Sequence, residues 1–244
     1  GPLIGIVLGF DAINKERSAR TLSKIISQPI YRDAVINGKF LAGLFIITVM
    51  LMGIVLLISG LGLALIGVVP GPDEIGRLAV YLIITIFYIS FWLGISILFS
   101  IIFRSIATSA LAAIACWIFF SFFVAIGAGV VSDMLAPVEQ SAVMNNPQMV
   151  IRHEEIRNIL SLFSPMTLYS EGTTTILDPL RKTTKTILLM GPMERLDLSR
   201  FQNPLPLLQS VYLVLPHIIS LIAITMVFFA VSYIAFMRQE VRST

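Results

Sequence analysis

Four long runs without a charged residue divide this chain: 40–69, 78–103, 106–132 and 201–237. A helix needs roughly 20 apolar residues to cross a bilayer, and every run is long enough. Prolines at 204, 206 and 216 narrow the last span to 211–236. Charge collects in between, at 11–39, at 70–77, at the turn Arg104-Ser105, through 133–207 and in the tail 237–244. Gly1–Phe10 is apolar but too short to cross, and it has neither a basic n-region nor a small-residue cleavage site. It reads as the end of a further transmembrane helix. The pattern predicts an all-α polytopic membrane helix bundle forming a single transmembrane domain over 1–244. It has four full transmembrane helices, the end of another, and a long external segment at 133–207.

Composition agrees. Apolar residues make up 57% of the chain and charged residues 13%, with mean hydropathy +0.91. A soluble domain runs nearer 45–50% apolar and about 25% charged, so the bilayer is the solvent for most of this chain. The Lys and Arg distribution sets the orientation. Segment 11–39 holds six, the connection 70–77 one, the turn at 104–105 one, and the tail two. With 11–39 and the C-terminus in the cytosol, nine basic residues lie inside and one lies in the short external loop, as the positive-inside rule requires. The segment 133–200 falls outside and is too long for the rule to bind.

The segment 11–39 carries the most information. Ala19, Leu22, Ile25 and Ile26 recur at helical spacing, with Arg17, Arg20, Ser23 and Lys24 on other faces. Pro29 breaks the pattern. Asp33 is placed to cap a new helix that runs through Val35 and Ile36 into the next span. An amphipathic helix, a proline corner and a re-entry can lie along the inner surface and present a face to a cytosolic partner. The same shape also suits a helix that only anchors the loop.

These residues resemble the ABC-2 type of ABC transporter permease, most closely its short nitrous-oxide-reductase-maturation-like members. In that family a Glu-Arg pair, a Thr-Leu, a Pro and an Arg mark the coupling helix that touches the ATPase subunit. Here the matching positions are Glu16, Arg17, Thr21, Leu22, Pro29 and Arg32, with Gly38 and Lys39 leading into the next span. The family usually carries Gly before Thr-Leu, where this chain has Arg20. The resemblance implies a multi-pass protein of a prokaryotic cell membrane. It implies a cytosolic ATP-binding partner and a second permease subunit, as homo- or heterodimer. It also implies a six-helix architecture, of which this sequence lacks the first span and most of the second.

The chemistry fits a transport subunit that is not itself an enzyme. The only Gly-Lys pair, Gly38-Lys39, precedes Phe40, and Asp33 stands where a P-loop needs its first Gly. An ATPase must then be a separate polypeptide. No span contains Asp, Glu, Lys or Arg, which disfavours ion-coupled transport. Thr48, Ser59, Thr85, Ser90, Ser96 and Ser100 read as helix-packing and back-bonding groups. Lone Cys116 permits no internal disulfide. His153 and His217 lack metal-ligand spacing and read as exposed and interfacial. No cofactor, metal or nucleic-acid partner is expected.

In the external segment, Asn146-Pro147 opens an amphipathic helix with Ile156, Ile159, Leu160 and Phe163 on one face, ending near Ser164-Pro165. Thr173–Thr186 reads as irregular. The expected function is the permease subunit of an ABC-type exporter, coupled to a separate ATPase and moving a substrate the sequence does not name. The alternative is a non-transporting membrane scaffold or assembly factor acting through its external segment.

Overall fold

The computed structural model describes residues 1–19, 21, 31–67, 69–135, 156, 164–180 and 204–238. The elements among them are α1 (Pro2–Gly9), α2 (Asn14–Ser18), α3 (Arg32–Ile66), α4 (Pro72–Ile102), α5 (Ile106–Ile118), a π-helical turn (Phe119–Phe123), α6 (Val124–Leu135), α7 (Pro165–Leu177) and α8 (Leu207–Arg238). No strand occurs among the described residues. Four stretches are long and apolar enough to cross a membrane: Asp33–Leu65, Pro72–Ile102, Ile106–Phe123 and Leu207–Arg238. The all-α membrane bundle expected from the hydrophobic pattern is the fold. Leu22, Ile25 and Ile26 of the amphipathic pattern, Pro29, His153 and nearly all of the helix expected at 147–163 lie outside the described residues.

The helix ends differ from the charge-free runs for local reasons. α3 starts at Arg32, eight residues before the apolar run, with Tyr31 as its extended N-cap. Asp33 sits inside the first turn and does not cap it. There its charge favours the positive end of the helix dipole. At 1.5 Å per residue, 35 residues span about 52 Å, against a hydrocarbon core of about 30 Å. The turns that carry Asp33 and Lys39 therefore extend beyond the oil. α3 ends where Gly67 adopts a left-handed φ of 73° and donates its N–H to Leu63 O at 3.0 Å. α4 starts at Pro72, and Glu74 accepts the Gly71 N–H at 2.9 Å.

The chain forms two compact units, Gly1–Trp117 with Leu221–Thr244, and Ile118–Ser220. In the first unit α4 is the axis. Of its most apolar window 72% is buried, against 11% for that of α3. Phe91, Trp92, Leu93, Ile95 and Ile97 are all sealed. α1 lies against α4 with its backbone almost touching. A Cβ on Gly5 would sit 2.5 Å from Ile89 O, and one on Gly9 would sit 2.9 Å from Leu93 O. Small residues four apart allow such an approach, and van der Waals packing is the main adhesive between helices in lipid. Ser96 Oγ, one turn from the contact, donates to Ile6 O at 2.9 Å. α3 packs on the same axis, with Gly43 against Leu93. The second part of α8 adds Phe228 edge-on to Phe91 and Ser232 Oγ donating to Gly94 O at 3.1 Å.

In the second unit α7 packs beside the first part of α8, with Gly172 facing Val214 and His217. Ser164-Pro165 opens α7. Ser164 Oγ accepts the Thr167 N–H and donates to Phe120 O at 3.3 Å. A π-turn breaks the regular register of backbone acceptors, and Phe120 O finds its donor in this serine. The expectation of irregular chain at Thr173 is corrected. Thr173, Thr174 and Thr175 each donate a hydroxyl to a carbonyl one turn back, which keeps their polar groups inside the helix.

Gly5→Ala is expected to destabilise the protein by about 1–3 kcal/mol through backbone overlap. Gly53→Ala, with nothing within 4 Å of the new methyl, is expected to be neutral or to stabilise by up to about 1 kcal/mol. Thermal unfolding of the two variants in one detergent checks the contrast.

Candidate functional site: a joint between the first loop and two helices

The residues of the motif gather where α2 meets the end of α4. α2 is five residues long, and its N-cap, Ile13, has no side chain able to accept the free amides of the first turn. Ser100 of α4 does this from 87 positions away. Its Oγ accepts the Ile13 N–H at 3.0 Å and the Asn14 N–H at 3.1 Å. The favour is returned at the other end. α4 finishes at Ile102 with Phe103 as C-cap, leaving carbonyls without intrahelical donors. Arg17 Nη1 donates to Phe103 O at 3.5 Å, and Asn14 Nδ2 donates to Ser105 O at 3.4 Å. Ser100 thus caps α2 and Arg17 reaches the end of α4, while Ser105 O, which also accepts the Ser109 N–H, belongs to the start of α5. Asn14 and Ser100 are fully buried. Burial, and then the charge of Arg104 nearby, holds the Arg17 guanidinium below its usual range.

A second tie runs to α3. Lys39 Nζ lies 2.6 Å from Glu16 Oε1, with both side chains about three-quarters covered. The other carboxylate oxygen, Oε2, is buried with no donor among the described residues. Glu16 also organises the chain beyond it, since its carbonyl accepts both the Thr21 N–H at 3.0 Å and the Thr21 hydroxyl at 3.2 Å. A shallow hollow beside this pair is lined by Asp11, Lys15, Glu16, Lys39 and Gly43 among others.

Of the six motif residues, Glu16, Arg17 and Thr21 are thus brought together in one place. Leu22 and Pro29 lie outside the described residues, and α3 begins at Arg32. Asn14 and Ser105 escaped the sequence reading, and Ser100 was read only as a packing group. One signal was available. Ser96 and Ser100 are four apart, so both face the same side of α4, and both serve the α1–α2 stretch. Gly5-x-x-x-Gly9 was the matching mark on the other partner.

Two further features are distinct from this joint. A cleft of about 360 Å³ lies between α3, α4 and the second part of α8, lined by Asn37, Phe40, Phe87, Thr225 and Phe229 among others. Ser90 and Thr225 donate their hydroxyls to carbonyls of their own helices, so the cleft walls are apolar. In the other unit His217 Nε2 lies 3.3 Å from Glu171 Oε2, and both side chains are mostly buried. The histidine expected at an interface is therefore paired with a carboxylate. No cluster of metal-ligating side chains occurs among the described residues.

A bundle of apolar helices, four of them long and apolar enough to cross a membrane, defines an integral membrane protein. The family model for ABC-2 family transporter protein matches residues 1–241, and the chain belongs to that family. It is a multi-pass membrane transport subunit. Permeases of this family normally work with a cytosolic ATP-binding subunit and often with a partner permease. No curated protein matched the chain.

Removing one member of the ion pair should expose its worth. Lys39→Met is expected to destabilise the protein by about 1 kcal/mol, more than a fully exposed pair would, because Glu16 stays partly buried without its counter-charge. The double exchange Glu16→Lys with Lys39→Glu is expected to recover most of that loss. A double-mutant cycle on denaturant unfolding measures the coupling.

Proposed function

We propose that this chain is the membrane-spanning permease subunit of an ABC-type exporter of the short, nitrous-oxide-reductase-maturation-like kind. It couples ATP hydrolysis on a separate subunit to movement of a substrate through a permease dimer. Segment 11–39 is the coupling element, and Glu16, Arg17, Thr21, Leu22, Pro29 and Arg32 are its residues. The segment and the C-terminus face the cytosol of a prokaryotic cell, and 133–207 lies outside. The observation that carries this reading is the fastening of Glu16 to Lys39 and of Arg17 to the Phe103 carbonyl. A loop that only anchors itself to the bilayer surface needs no ties to two membrane helices. A loop that is pushed by a motor needs them. The positive-inside count and the lack of a P-loop support the orientation and the separate ATPase.

Affinity purification of the full-length protein from native membranes is expected to recover a P-loop ATPase in comparable amount. Arg32→Ala is expected to reduce that recovery about five- to tenfold, the effect of losing one well-placed interface arginine. Recovery of no ATPase by the wild-type protein under conditions that keep it folded would favour the scaffold reading and sink this one.

A further inference from the structure

We infer that Ser100, with Asn14, is a positioning device that delivers the motion of the coupling segment to α4, the buried axis of its unit. This rests on the coupling reading above and names the route by which it acts.

The ties of α2 differ in how firmly they can hold. The Glu16–Lys39 pair is partly open to water, and such a pair is soft, because solvent screens it and both side chains are long. The Ser100 joint is different. Its acceptor is fully buried, its donors are backbone amides with no side-chain freedom, and the helix that offers it does not bend away. Arg17 adds a donor to the Phe103 carbonyl at the end of the same helix, and Asn14 adds one to Ser105 O at the start of α5. One turn earlier, Ser96 donates to Ile6 O, and the Gly9 backbone presses on Leu93 and Ile97. From Ile6 to Arg17 the chain is thus clamped along the last part of α4. Displacing α2 without displacing α4 would strand the two amides held by buried Ser100 and strip a donor from the Phe103 carbonyl, and buried unpaired groups are costly. Displacing α3 only requires an ion pair to stretch. The stiff path therefore leads into α4, which touches α1, α3 and the second part of α8 and can pass the displacement on.

Hydrogen–deuterium exchange on the full-length permease with its ATPase in lipid nanodiscs tests this without knowledge of the substrate. In the wild type, ATP with vanadate is expected to change exchange both at 11–19 and at 97–105. In Ser100→Ala the change at 11–19 and the ATPase rate should persist, while the nucleotide response at 97–105 falls about fivefold or more, as loss of a helix cap loosens the joint. Ser100→Thr keeps the acceptor oxygen and should follow the wild type. Asn14→Ala removes only the donor to Ser105 and should give a smaller loss in the same direction. If Ser100→Ala fails to assemble, Asn14→Ala decides by the same criterion. A wild-type response at 97–105 in the Ala variants overturns the joint while leaving the coupling reading standing. No nucleotide response at 11–19 in the wild type overturns the coupling reading and this inference with it.

Discussion

A backbone N–H or C=O that loses its partner in the hydrocarbon core of a bilayer has no water to turn to, and each such loss costs several kcal/mol. Helix interiors meet this demand by themselves. Helix ends do not, because the first and last turns always leave amides and carbonyls over. In this chain the answers to that demand are the structure's most specific features. Gly67 closes α3 on itself through a left-handed residue. Ser164 opens α7 and at the same moment satisfies Phe120 O in the π-turn. α2 and α4 are tied where they meet, Ser100 taking the first amides of α2 and Arg17 reaching the Phe103 carbonyl.

That tie is possible only because α1 brings the chain in so closely. Gly5 and Gly9 let the α1 backbone approach that of α4 to a distance that any Cβ would forbid. That places Ile13 over Ser100 four residues after α1 ends. Ser96 and Ser100 then act in opposite senses, Ser96 as donor to a carbonyl and Ser100 as acceptor for two amides. A serine can do either, which is why the same residue type one turn apart serves both the end of α1 and the start of α2.

The hydrophobic pattern made the membrane helices legible because a span has to be long and apolar whatever it packs against. It misplaced their ends, since charge-free runs report where the oil stops and not where the helix stops. Arg32–Lys39 is helical and polar at once, and so is Pro72–Arg77. Glu16, Arg17 and Thr21, singled out together in the sequence, lie close together in the structure. Their partners were not legible. Ser100 lies 86 or more positions away in a run that reads as lipid-facing, and a lone serine in a span carries no mark of what it will meet. Thr173–Leu177 looked irregular because threonine is a poor helix former in water. Back-bonding to the previous turn removes that objection where the helix is packed.

The geometry also changes what the motif residues mean. A Glu-Arg pair at a coupling loop invites the picture of two charges reaching outward for a partner. Here Glu16 turns to Lys39 and Arg17 turns to the end of α4. Arg17 is held partly out of water beside another arginine, a position with an electrostatic cost that a residue free to point outward would not bear. A charge kept there is doing structural work inside its own chain. Glu16 and Arg17 then mark the fastened side of the loop. That arrangement suits a lever, whose fixed end must be stiff before its free end can be useful.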